Sequence, residues 1–187
     1  MVKEITPFII ALVLVSCSKN TNEQSVTDSI DSTQVSSTST DSVATTSLAT
    51  TKEYTVEQVS ELVGTKNDTL YVTNFFATWC GPCIRELPHF VEQQEKRKAE
   101  KIKFTYISLD QKQDWGKVLP FATEHKLSGE IVLLDGMNLT PDFFTQNFSQ
   151  WNGESIPYTF MRKGEKTDET IGMMSKEELE RKIQSLN

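Results

Sequence analysis

A chain of 187 residues is on the scale of one domain, yet only 37% of it is hydrophobic, which is low for a fully folded globular chain. The formal net charge of −7 argues against nucleic acid as a partner, because phosphate binding needs a basic face. Of the three cysteines, Cys80 and Cys83 are spaced as a pair and Cys17 stands apart.

Residues 5–15 form an apolar run behind Lys3, too short for a bilayer-spanning helix of about 20 residues but of the length of a secretory signal core. The run ends Leu14-Val15-Ser16-Cys17, which resembles the lipobox of bacterial lipoproteins. That resemblance implies a signal peptide at residues 1–16 and acylation of Cys17, giving attachment to a bacterial membrane. More than one acyl chain is needed for stable anchoring, at about 0.8 kcal/mol per buried methylene. A soluble secretory precursor is the alternative.

From residue 18 to 51 about half the positions are Ser or Thr, with no aromatic residue. Such a segment cannot bury enough apolar surface to offset its ordering entropy, so residues 17–51 are expected to be a disordered linker. Its expected reach is on the order of 30 Å. The triplets beginning at Asp28, Asp31, Asp41 and Asp68 resemble the O-glycosylation triplet of Bacteroidetes secreted proteins, although Asp-Ser pairs are also common in polar linkers.

The folded part is expected at residues 52–187. Thr55 and Gln58 have capping-box spacing and open a short helix. Residues 70–76 are β-branched and aromatic and predict a buried strand. A helix follows over about 82–99, kinked at Pro88, then a strand at 104–109 and a helix over 115–125. Strand 131–134, a helix at 140–148 and strands at 158–161 and up to Ile171 come next. A last helix opens with the capping pair Ser175 and Glu178 and presents Leu179, Ile183 and Leu186 on one face. Alternating strands and helices closed by a hairpin predict an α/β layered fold whose sheet has an antiparallel edge.

Trp79-Cys80-Gly81-Pro82-Cys83 falls where strand gives way to helix. A cysteine there faces unpaired backbone N–H groups and the positive end of the helix dipole, and both stabilise a thiolate. Cys83, in the first turn, is within reach to close a disulfide, and Pro82 suits a position that needs no N–H. The chemistry this predicts is attack of the Cys80 thiolate on a disulfide, then resolution by Cys83. Competing readings are weaker. Zinc usually takes four ligands, and the fold offers no second cysteine pair. Haem attachment needs His after the second cysteine, where Ile84 stands. A structural disulfide closing so small a loop would constrain little chain entropy. His89 and His125 have no metal-like spacing, so no metal or cofactor is expected.

From about Tyr54 to Leu186 the chain resembles the TlpA/ResA-like thiol–disulfide oxidoreductases of the thioredoxin superfamily, on the stretch Asn74-Phe75-Phe76-Ala77-Thr78-Trp79-Cys80-Gly81-Pro82-Cys83-Ile84-Arg85-Glu86-Leu87-Pro88. The resemblance implies a thioredoxin-like three-layer α/β/α sandwich with a mixed central sheet. It implies Cys80 as exposed nucleophile, Cys83 as buried resolving thiol and Glu86 as an active-site carboxylate, a solvent-facing helix glutamate being the alternative for the last. Ile156-Pro157 resembles the family's cis-proline loop, and with Trp79, Gly81 and Pro82 it forms the implied substrate-binding set. Asn74 departs from thioredoxin, which has a buried aspartate there. Residues 127–155 match the family's insertion, and Phe148 and Trp151 within it read as core. The implied partners are disulfide-containing exported proteins, a thiol electron donor in the cell envelope, and the membrane through Cys17. The Gly81-Pro82 dipeptide is that of reducing thioredoxins. A disulfide oxidase or isomerase is the alternative direction, and a peptide- or copper-binding module the alternative class.

Overall fold

The computed structural model describes residues 48–187. The expected signal peptide, Cys17 and all but the end of the expected linker lie outside the described residues. Among the described residues no helix is long and apolar enough to cross a membrane.

The strands are β1 (Thr50–Glu53), β2 (Leu70–Phe76), β3 (Ile102–Ser108), β4 (Glu130–Leu133), β5 (Tyr158–Lys163) and β6 (Lys166–Ile171). The helices are α1 (Val56–Gly64), α2 (Gly81–Lys96), α3 (Val118–Glu124), α4 (Pro141–Asn147) and α5 (Lys176–Leu186). All six strands form one sheet in the order β1-β4-β3-β2-β5-β6. β1, β4, β3 and β2 run parallel, and β5 and β6 close the other side antiparallel. The sheet is therefore mixed, with β2 near its centre, flanked by β3 and β5.

Because strand side chains alternate between faces, the sheet sorts its residues into two cores. On one face Leu70, Val72 and Phe76 pack with Cys83, Leu87 and Phe90 of α2, Val118 and Ala122 of α3, and Leu179 and Ile183 of α5. On the other, Phe75, Ile107, Val132, Tyr158 and Phe160 meet Val59 and Val63 of α1 and Phe143 and Phe144 of α4. The expected three layers are all present. Phe148 and Trp151 belong to the second core, where Trp151 stacks on Tyr158 with ring centroids 4.1 Å apart. Glu169 of β6 secures the same stretch, accepting hydrogen bonds from Ser149 N–H (2.9 Å), Ser149 Oγ (2.7 Å), Gln150 N–H (2.9 Å) and the Tyr158 hydroxyl (2.8 Å).

The local signals hold at both caps. Thr55 and Gln58 form a reciprocal capping box, and Ser175 Oγ accepts the Glu178 N–H. α2 runs through Pro88 and ends at Lys96, short of the expected residue 99. The single helix expected over 115–125 is a 3-10 turn at Lys112–Lys117 followed by α3. β1 was not expected. Its residues Thr50 and Thr51 pair with Glu130 and Ile131, so the sheet begins inside the segment expected to be linker. A four-residue polar strand on an exposed edge carries no hydrophobic alternation to mark it.

Candidate active site

β2 delivers the chain to the start of α2, and the short loop between them is tied down by Asp110, which is fully buried beyond the end of β3. Its carboxylate accepts the Thr78 N–H (3.0 Å), the Thr78 hydroxyl (2.6 Å) and the Ser108 hydroxyl (2.7 Å). Nothing local in the sequence singled out Asp110, since its partner Thr78 is 32 residues away.

Cys80 is the N-cap of α2, and its Sγ accepts the Cys83 N–H at 3.3 Å. One of the helix's unpaired donors is thus directed at the sulfur, the arrangement that favours a thiolate once the cysteines are reduced. In this structure Cys80 and Cys83 are disulfide-bonded, with Cα atoms 5.3 Å apart. Cys83 is wholly buried and Cys80 is only 4% exposed, so the implied exposed nucleophile is nearly covered in the oxidised state. Trp79 beside it is 71% exposed.

The remaining sequence-derived positions fall around this pair. Gly81 and Pro82 make the exposed first turn of α2. The Ile156–Pro157 peptide is cis, and the Ile156 carbonyl oxygen lies 3.8 Å from Cys80 Sγ. His89 Nδ1 is 3.3 Å from the Met174 carbonyl oxygen and His125 packs on Phe121, both as ordinary packing residues. Among the described residues no group of three or more His, Cys, Asp or Glu side chains could hold a metal ion.

Glu86 lies one helical turn beyond Cys83 and is completely buried, which removes the solvent-facing alternative. Its Oε1 accepts from Asn74 Nδ2 (2.7 Å) and its Oε2 from the Met174 N–H (2.8 Å). Asn74 Nδ2 also donates to Thr159 Oγ1 (3.1 Å), the side chain paired with it across β2 and β5. Burial pushes the Glu86 carboxyl up to about 7, with the hydrogen bonds from Met174 and Asn74 opposing the shift. A buried carboxyl poised at that value one helical turn from Cys83 can take or give a proton near neutral pH. Asn74 was noted in the sequence only for lacking a carboxylate; Met174 and Thr159 were missed.

A parallel-and-antiparallel sheet between two helical layers, with a two-cysteine turn capping a helix beside a cis-proline, defines a thioredoxin-fold dithiol–disulfide protein. The thioredoxin family model matches residues 46–121. The chain is 33% identical over 117 residues to the thioredoxin-like protein YneN of Bacillus subtilis, covering 59% of this chain and 61% of that one. It is 29% identical over 115 residues to the thiol-disulfide oxidoreductase ResA of Geobacillus kaustophilus, covering 60% of each. The fold matches that of a thioredoxin-family thiol:disulfide interchange protein from Chlorobium tepidum with a TM-score of 0.52 at 22% identity, covering 67% of this chain and 83% of the other. The chain has the thioredoxin fold and is similar in sequence to thioredoxin-like thiol-disulfide oxidoreductases of the ResA kind. The matches span about three fifths of the length of those curated relatives.

Proposed function

We propose that this chain is a thiol–disulfide oxidoreductase that reduces disulfides in exported proteins. The observation carrying the proposal is Cys80 at the α2 N-cap, accepting the Cys83 N–H, with Glu86 buried one turn further along the same helix. In the reduced protein the Cys80 thiolate attacks one sulfur of a substrate disulfide, forming a mixed disulfide and expelling the other sulfur as a thiolate. Glu86 accepts the Cys83 proton, and Cys83 attacks Cys80 Sγ, releasing the second substrate thiolate and restoring the Cys80–Cys83 bond. The expelled thiolates take up two protons in all, one of which Glu86 returns. An envelope thiol donor supplies two electrons to reset the pair. The Ile156 backbone beside Cys80 offers an edge on which an extended substrate segment can pair as an added strand, with Trp79, Gly81, Pro82 and Pro157 completing the contact surface. The Gly81-Pro82 dipeptide supports the reducing direction.

The purified protein should reduce insulin, with dithiothreitol as donor, and Cys83→Ala should accumulate mixed disulfides with its substrates. A reduction potential more positive than about −200 mV would instead favour the oxidase direction. We propose further that Cys17 carries the lipid anchor in the envelope; Cys17→Ala should then move the protein to the soluble fraction, and unchanged membrane partitioning would refute the anchor.

A further inference from the structure

Besides Leu48, the two most exposed large hydrophobic side chains among the described residues are Met137 (72%) and Trp79 (71%). They line the same cleft. It has a volume of about 350 Å³ and is completed by Leu109, Gln111, Asp114 and Gly136. Two large apolar side chains left in water across a cleft, one of them bonded to the nucleophilic cysteine, mark a surface that is covered when a partner docks.

Both walls are held in place. Trp79 follows Thr78, which Asp110 fixes through its N–H and hydroxyl. Met137 sits in the 3-10 turn Gly136–Asn138, whose first residues are capped by Asp135 Oδ1 accepting the Met137 N–H at 3.0 Å. Gly136 is required by close approach: a Cβ there would lie 2.8 Å from the Leu109 carbonyl oxygen. The turn can therefore press on Leu109 and hold Met137 opposite Trp79. The polar groups at the rim are already engaged, Asp114 with Lys117 Nζ (2.6 Å) and Gln111 Oε1 with Gln113 Nε2 (3.1 Å). The largest exposed side chains of the cleft are therefore apolar ones, Trp79 and Met137.

We propose that this cleft is a substrate subsite, taking an apolar side chain from the residue beside the target cysteine in an extended polypeptide segment. The thioether of Met137 is flexible and polarisable, which suits it to apolar side chains of different shape. Apolar residues beside a cysteine are accessible before a protein has folded, so the subsite directs the enzyme toward incompletely folded chains. The proposal rests on the oxidoreductase reading.

The test uses pre-reduced full-length protein and short peptides whose single cysteine is in mixed disulfide with glutathione, flanked by leucine or by serine. One turnover, followed by the tryptophan fluorescence of the protein, converts dithiol and mixed disulfide to the Cys80–Cys83 bond, peptide thiol and glutathione. The leucine peptide should react about tenfold faster, the scale of discrimination that one buried aliphatic side chain provides. Met137→Ser should bring the ratio near one and Met137→Leu should restore it. Gly136→Ala, which forces the turn off Leu109, should lower the ratio without touching either apolar side chain. Equal rates for both peptides with the wild-type protein would overturn the subsite while leaving the enzyme reading intact. Failure to react with either would remove both.

Discussion

A surface glutamate at neutral pH is ionised and too weak a base to draw a proton from a thiol. Burial of Glu86 among Asn74, Met174 and α2 brings its carboxyl to about 7, nearer the range of a cysteine thiol. Glu86→Gln cannot accept a proton, so resolution of the mixed disulfide should slow by about 100-fold, the low end of general-base contributions. The pH–rate profile should lose its limb near 7; an unchanged profile would remove Glu86 from the reaction. Asn74 sets the other half of this environment, because its amide nitrogen lies 2.7 Å from Glu86 Oε1. Asn74→Asp puts a second carboxylate at that distance, and two such groups cannot both ionise. The limb near 7 should then split or move upward by about one unit or more in the same rate measurements. Glu86 was legible through the family resemblance of the stretch from Asn74 to Pro88. The sequence could not supply the contacts that set its proton affinity, since Met174 is 88 residues from Glu86 and Thr159, which shares the Asn74 amide, is 85 residues from Asn74.

At the scale of elements, the site depends on how the β2–α2 loop is fastened to the end of β3. Removing the Asp110 carboxylate leaves the Thr78 N–H and two hydroxyls without their acceptor in a largely buried place. Asp110→Ala should therefore cost about 2–3 kcal/mol in urea denaturation, the scale of an orphaned buried donor plus lost hydrogen bonds. The same variant should lose discrimination between the leucine and serine peptides, since Trp79 is no longer held. A variant as stable and as selective as the parent would show that the loop is fixed by other means. Which elements were readable follows from the same distinction between local and distant causes. β2, the helices and the Thr55 and Ser175 caps are marked by periodicity and by side chains three residues apart. β1 is marked by neither, because its hydrogen bonds to β4 reach across about 80 residues and its side chains point mostly to water. The 3-10 turn before α3 is equally silent: Trp115 donates from Nε1 to the Asp110 carbonyl oxygen (2.9 Å), a contact that periodicity cannot anticipate.

For the molecule as a whole, two carboxylates act on stability in opposite senses. Glu169 is pushed up by burial but held below its ordinary value by the hydrogen bonds from Ser149, Gln150 and Tyr158. Its contribution is present above its ordinary value of 4.5 and is lost as the pH falls through its lowered folded-state value. Glu86 does the reverse. The folded protein binds its proton more tightly than the unfolded chain does, so stability is highest below pH 4.5 and declines as the pH rises to about 7. Ionising it in the core costs about 3 kcal/mol, at roughly 1.4 kcal/mol per pH unit. The exposed ion pairs, such as Lys66–Glu165 and Lys101–Asp68, add little to either limb. The oxidised protein should therefore be most stable near pH 5 and lose about 2.5 kcal/mol between there and pH 8. Urea denaturation of the oxidised form across this range measures it, since the cysteines do not titrate while bonded. In Glu86→Gln the curve should be nearly flat where the parent's declines. Parallel curves would mean that Glu86 ionises at no cost to the fold, and its poise near neutrality, on which the proton transfer from Cys83 depends, would go with it.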